Sequence, residues 1–223
     1  MKYYRIKEDL LKMKIVGTFP QIETAIYDCD PFEDENFIDN LGFKRIKIKP
    51  KLAIGKLHKK AKLTDFLSVV PMGFSNKLLV STKLKDILIS KNNTNVQVFN
   101  NPILVDNLTN TDYWLVNPVK LSNNIIDFQK SDIFLKSGIF LDDKIKKLKI
   151  ITLEEYIIEE KKIEEMGVFP FNLFFEKIRI DDNTEESFFV LNNVYGGYGY
   201  YISEKLKNEI ENQKLTGIQF EEL

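Results

Sequence analysis

Residues 78–98 and 200–220 read LLVSTKLKDILISKNNTNVQV and YYISEKLKNEIENQKLTGIQF, and they align without a gap at a constant offset of 122 positions. Self-similarity at a fixed spacing means that one supersecondary unit is used twice, so any fold for this chain has to contain it twice. Ser81, Lys83, Leu84, Lys85, Thr94 and Gln97 recur as Ser203, Lys205, Leu206, Lys207, Thr216 and Gln219. Val80, Leu88 and Val96 keep their character as Ile202, Ile210 and Ile218. In each copy a β-rich run stops at a serine, whose hydroxyl can accept an amide hydrogen bond at the head of a helix. The helix starts after Ser81 and after Ser203, with Leu84 and Leu88, or Leu206 and Ile210, four apart on one face. Asn95 and Gly217, residue types that tolerate the left-handed conformation, mark the helix end, and a short strand follows. Caps, faces and closures account for these positions. Neither serine is assigned chemistry, because a nucleophile needs a base beside it.

The 32 basic and 33 acidic side chains nearly cancel, so no global field draws the chain to nucleic acid or to a membrane, and any such role has to come from a local patch. With 223 residues, 43% of them apolar, there is material for one large domain or two small ones. The single cysteine, Cys29, excludes an internal disulfide and fits a reducing compartment. The opening MKYYRIKEDLLKMKIVG interrupts its apolar residues with charges, so no secretory signal and no membrane span is expected, and the expected location is cytoplasmic.

Charge is segregated near the start. Between Ile15 and Phe43 there are seven acids and no Lys or Arg, whereas Lys44 to Lys62 carries nine Lys or Arg, His58 and no acid. RIKIKPKLAIGKLH alternates lysine with Ile and Leu as a half-wet strand would, and Pro50 makes it an edge strand or breaks it in two. Further on, Thr152-Leu-Glu-Glu155 is a capping box heading a helix to about Glu165, with Leu153, Tyr156, Ile157 and Ile163 facing inward. Gly138 with Asp142-Asp143, Asp181-Asp182-Asn183, and Gly196-Gly197 are turn signals between strand-like runs. The expected fold is α+β, mainly antiparallel sheet with a few helices, containing two similar strand-helix-strand units at 66–99 and 188–220. Residues 1–62 are expected to form an N-terminal segment packed on a main domain of residues 63–223.

The lone His58, flanked by Lys56, Lys59 and Lys60, is read as a surface histidine, and no spacing of ligands signals a metal. Cys29 is read as a small, part-buried thiol. Gly196, Gly197 and Gly199 lack the downstream Lys-Ser/Thr of a phosphate loop and read as a hairpin. Paired acids such as Glu154-Glu155 and Asp181-Asp182 fit helix faces and turns; a glycosidase-like pair would require a shared pocket. No catalytic residue, cofactor or metal is assigned. Two surfaces remain. The basic stretch 44–62 could track phosphates, yet it has no interleaved aromatic for stacking, which weighs against nucleic acid. The acids Asp28, Asp30, Glu33, Asp34 and Glu35, with Tyr27, Phe32 and Phe37 among them, suit docking on a basic protein surface, as does Tyr198 of the tyrosine-rich run. The competing reading is a solvated loop whose acids pair with the basic block behind it.

The duplicated (V/I)-S-x-K-L-K element, IIDFQKS at 125–131 and the closing YYISEKLKNEIENQKLTGIQFEEL resemble a bacterial family once catalogued only as a domain of unknown function and now placed among the immunity proteins of polymorphic toxin systems. The resemblance covers roughly residues 64–223. It implies a non-enzymatic cytoplasmic protein that binds and neutralises a cognate toxin, with no catalytic residues to carry over.

Overall fold

The computed structural model describes residues 1–89, 95–137, 143–165, 167, 171–192, 194 and 197–223. Along the first half run β1 (Tyr3–Glu8), α1 (Met13–Val16), β2 (Ile22–Ile26), β3 (Ile54–Leu57), β4 (Phe66–Leu67), β5 (Leu78–Ser81), α2 (Thr82–Ile89), β6 (Val96–Asn100), β7 (Ile103–Val105), β8 (Leu108–Asn110) and β9 (Tyr113–Pro118). The second half adds β10 (Asp132–Ser137), β11 (Asp143–Leu148), α3 (Leu153–Glu165), β12 (Asn172–Lys177), β13 (Phe188–Asn192), β14 (Tyr198–Ser203), α4 (Glu204–Asn212) and β15 (Ile218–Glu222). Strand far outweighs helix, and the sheets are mainly antiparallel, with a parallel pairing between β3 and β7, so the chain is α+β.

The repeat is real in three dimensions and extends further than the sequence match. Both copies are strand, helix, strand: β5-α2-β6 and β14-α4-β15. Each first strand also pairs with a preceding one in the same register, Phe66↔Val80 in one copy and Phe188↔Ile202 in the other, again 122 apart. Ser81 N–H donates to the Asp65 carbonyl and Ser203 N–H to that of Ser187, both at 2.8 Å. Sheet order is likewise the same, β4-β5-β9-β6 and β13-β14-β1-β15. The Ser81 hydroxyl accepts Leu84 N–H at 3.3 Å, the capping bond expected of it.

The helix end departs from expectation. At α4 the left-handed closing residue is Lys214, with φ +54°, while Leu215 N–H donates to the Ile210 carbonyl and Lys214 N–H to that of Glu211. These two bonds are the Schellman closure. Gly217 is also left-handed, φ +82°, but for another reason: its Cα lies against the Phe66 carbonyl and Thr64, where a Cβ would collide. Asn95 is buried, and its carbonyl accepts Val119 N–H at 2.8 Å.

The chain divides into two compact units interleaved along the sequence. Unit 1 comprises Met1–Arg5, Leu121–Ser203 and Glu222–Leu223; unit 2 comprises Ile6–Lys120 and Glu204–Glu221. In unit 1 the sheet β11-β10-β12 and the β13-β14 hairpin supply a core in which Tyr156 of α3 packs on Phe175 with ring centroids 5.4 Å apart, and Phe128 on both. The α3 capping box forms: Glu155 N–H donates to Thr152 Oγ1, while the Glu155 carboxylate reaches back to Ile151 N–H rather than to that of Thr152. Ile157, expected inside, is 52% exposed, because the apolar arc of α3 is wider than the stripe its sheet covers, and Tyr156 and Ile163 fill that stripe. The turns at Gly138 with Asp142 and at Gly196 lie outside the described residues, though the strands they would join are paired.

In unit 2 the sheets β4-β5-β9-β6 and β2-β3-β7-β8 contribute Leu67, Leu79 and Leu115, and Ile22 and Ile103, to one core. Helices α2 and α4, one from each copy, pack on each other. Only Ile54–Leu57 of the lysine-alternating stretch is regular strand. The part before Pro50 is held instead by a side chain that imitates a neighbouring strand: Gln97 accepts Ile46 N–H at 2.9 Å and donates to the Ile46 carbonyl at 3.0 Å. No helix among the described residues is long and apolar enough to cross a membrane.

Candidate functional site: a braced acidic loop

Between β2 and the basic stretch, residues 28–41 form a loop whose shape is fixed by its own polar groups. Asp30 Oδ1 accepts Phe32 N–H at 2.8 Å and Glu33 N–H at 3.3 Å, and Asp34 N–H donates to the Asp30 carbonyl, closing one turn. The Asn40 amide reaches across to the carbonyls of Pro31 and Asp34 at 3.2 and 2.9 Å. Asp34 Oδ1 accepts Asn36 N–H at 2.9 Å. These are Asx-turn bonds, the chemistry that makes Asp and Asn good loop residues.

The far end of the loop is pinned to the body of unit 2. Lys51 Nζ donates to Asp34 Oδ2 at 2.7 Å, and on either side Lys51 N–H donates to the Asn36 carbonyl and Ile38 N–H to that of Lys51. Its fully buried Phe37 meets Tyr27 edge-on at 6.0 Å, and the Tyr27 hydroxyl donates to the Met72 carbonyl. Asp39, on a short 3-10 helix (Ile38–Leu41), accepts Gly73 N–H and the Lys77 ammonium, both at 2.6 Å. That ion pair is largely desolvated, with side chains 10% and 7% exposed, and burial holds the Lys77 amine below its usual range while Asp39 partly restores it. A small cleft of about 60 Å³ beside the pair is lined in part by Phe43 and by Asn117, whose buried amide nitrogen has no partner among the described residues. A polar space of that size suits water.

What the bracing presents is a set of outward groups. Phe32 is 75% exposed, and Asp28, Asp30, Glu33 and Glu35 are exposed around it. Asp34, half-buried and bonded to Lys51, is occupied internally, so the pairing of acidic loop with basic block is true of that one residue. The Lys51 hydrogen bond is the main cause of its lowered carboxyl pKa, with Asn36 N–H adding and partial burial opposing. Cys29 is part-buried against the unit 2 core. Desolvation first, then the Asp34 and Asp28 charges, raise its thiol pKa, which makes it a poor nucleophile. Tyr198 belongs to unit 1, where it lies half-buried on β14 with Asn192 as its cross-strand partner.

The remaining candidates are equally local. His58, expected at the surface, is half-buried: its Nδ1 accepts Lys60 N–H, and its Nε2 lies 4.0 Å from the Glu23 carboxylate. No group of three His, Cys, Asp or Glu among the described residues is placed to hold a metal. Asp181 Oδ1 accepts Asn183 N–H at 2.8 Å in the turn expected there. In the basic stretch Lys51 and Lys62 are engaged, the latter with the Lys14 carbonyl, while Lys44, Lys47 and Lys49 are exposed. Sequence reading counted Asp39 among the acids of this block but gave no role to it, to Asn40 or to Lys77: Asn40 bonds backbone carbonyls, which no side-chain pattern marks, and Lys77 is 38 residues from Asp39.

Comparison with known protein families finds no match to the chain, and comparison with curated proteins finds none either.

Proposed function

We propose that this chain is a cytoplasmic binding protein that neutralises a cognate toxin, an immunity protein of a polymorphic toxin system, with loop 28–36 as its docking surface. The observation that supports it is Phe32, 75% exposed at the crown of a loop held by side-chain bonds from Asp30, Asp34 and Asn40. An aromatic held out rigidly sheds little entropy on binding, and the surrounding carboxylates steer a basic partner toward it. The chain acts in this reading by covering the toxin's active site, so it uses no catalytic residue, cofactor or metal.

Co-expression with the product of the adjacent upstream gene gives a complex and rescues growth; absence of both sinks the reading. Within the complex, Phe32→Ala raises Kd by at least about 30-fold, the size of an interface hot spot, mostly through a faster off-rate. Reversing Asp28, Glu33 and Glu35 to lysine, with the bracing Asp30 kept, instead slows association and weakens its salt dependence. An unchanged on-rate would clear the acids of any steering role.

A second reading uses the exposed Lys44, Lys47 and Lys49, which lie on an irregular segment before Pro50 and are not consumed by the acidic loop. It makes the chain a nucleic-acid-binding module whose affinity falls steeply with salt, and no shift of RNA or DNA at low salt disposes of it.

A further inference from the structure

Residues 10–19 expose an unusual run of large apolar side chains. Leu11 is 80% and Phe19 50% exposed, and Leu10, Met13 and Ile15 between and beside them are also open to solvent. They surround a single short helical turn, α1, from which only Val16 is buried. This segment rests on the turn at 58–63: Lys62 N–H donates to the Val16 carbonyl at 2.9 Å, Lys62 Nζ to the Lys14 carbonyl at 2.8 Å, and Gly17 lies against the Lys60 carbonyl, where a Cβ would collide. That turn adds a further exposed leucine, Leu63.

The charges on the two joined segments are of one sign. Lys12, Lys14, Lys59, Lys60 and Lys62 are all exposed. The one acid in residues 9–19 is Asp9, which is 4% exposed and bonded to both Lys12 N–H and the Lys12 ammonium; residues 59–63 have none. Aliphatic side chains ringed by ammonium groups complement the headgroup and upper acyl region of an anionic bilayer, where apolar burial and counter-charge add. Protein interfaces select differently: they deplete Lys, and the Arg, Trp and Tyr that dominate their hot spots are missing from these two segments, which of the interface-enriched types hold only Phe19 and Met13.

We infer that the 10–19 segment and the 59–63 turn together form a docking surface for an anionic lipid membrane, on which the chain lies peripherally without crossing. The exposed apolar side chains enter the headgroup boundary, and Lys14, Lys59 and Lys60, whose ammonium groups are not taken up as those of Lys12 and Lys62 are, hold the phosphates. This inference is independent of the toxin reading, because it involves neither loop 28–36 nor a protein partner.

The test is co-sedimentation of the full chain with phosphatidylcholine vesicles, with and without phosphatidylglycerol. Binding is expected to the anionic vesicles at low ionic strength, weakening as salt screens the lysines. Lys59→Gln with Lys60→Gln lowers partitioning by about 30-fold, at about 1 kcal/mol per lysine. Leu11→Ser with Phe19→Ser removes it while leaving the circular dichroism spectrum unchanged, since both side chains are exposed. Several outcomes overturn the inference: no co-sedimentation at low salt, equal binding to neutral vesicles, or full binding by both variants. A concentration-dependent dimer that Leu11→Ser with Phe19→Ser abolishes, without vesicle binding, assigns the surface to a second copy of the chain instead.

Discussion

Lys214 holds a φ of +54° because the two closing hydrogen bonds of α4 demand it, not because its side chain favours it. A left-handed non-glycine residue costs about 1–2 kcal/mol, part of which glycine returns through its looser unfolded chain. Lys214→Gly is therefore expected to stabilise the protein by about 0.5–1 kcal/mol, read as a higher denaturant midpoint at constant slope. The Asp39–Lys77 pair behaves in the opposite sense. Removing one partner leaves the other charge buried, so Asp39→Ala should destabilise by about 3–5 kcal/mol, and the double change Asp39→Leu with Lys77→Met should recover most of that loss. Asp34 gives the pH-dependent case. Its carboxyl is held below the ordinary range chiefly by the Lys51 hydrogen bond. A carboxylate depressed on folding contributes stability that is present above its unfolded pKa and lost as pH falls through the folded value. Lys51→Met should raise the Asp34 titration midpoint measured by NMR toward the ordinary range; an unmoved midpoint would deny the ion pair its role.

At the scale of elements, what was legible in the sequence was whatever is local and periodic. Ser81 as cap, Leu84 and Leu88 as a buried face and the Thr152 capping box were all visible, because each depends on residues three or four apart. Of the lysine alternation at 45–58, broken in two at Pro50, only the part after the proline is strand; the part before it misled, since a period of two reports which side chains face water and not whether a strand lies alongside, and here the Gln97 amide stands in for one. The acidic residues of the candidate loop could be read, and so in outline could their pairing with the basic block that holds Lys51; the brace from Lys77, 38 residues from Asp39, could not. Asp65 is the most consequential of these long-range residues. One carboxylate oxygen accepts the Ser81 hydroxyl at 2.8 Å and the other accepts Thr216 N–H at 2.8 Å, so it ties the helix head of the first copy to the helix-strand junction of the second. Hydrogen bonds to a charged group contribute about 1.5–3 kcal/mol each, so Asp65→Ala should destabilise by at least about 2 kcal/mol. The Thr216 hydroxyl also donates to that second oxygen, at 3.2 Å. In a double-mutant cycle with Thr216→Val, which removes this bond and keeps the backbone one, non-additivity is the expected result; simple addition would mean the hydroxyl bond is not energetically coupled to Asp65.

At the scale of the molecule, duplication and division do not coincide. The first copy lies wholly within unit 2, whereas the second changes units between Ser203 and Glu204, so α4 and most of β15 complete a unit whose other residues end at Lys120. Neither half of the sequence therefore contains a whole unit. Residues 6–120 alone lack Leu206, Ile210 and Ile218, which are 2%, 1% and 8% exposed in the folded chain, and they also lack the Thr216 partner of Asp65. Burying an aliphatic side chain of this size contributes about 1.5–3 kcal/mol, so the missing three account for much of the roughly 5–15 kcal/mol that stabilises a domain. A fragment of residues 6–120 should accordingly show no cooperative thermal transition. The same residues joined by a flexible linker to 204–221 should regain one, because the linker restores the packing of α4 on α2 at the modest entropic cost of closing a loop. If the short fragment melts cooperatively by itself, the second copy's helix is an accessory to unit 2 and not a part of its core.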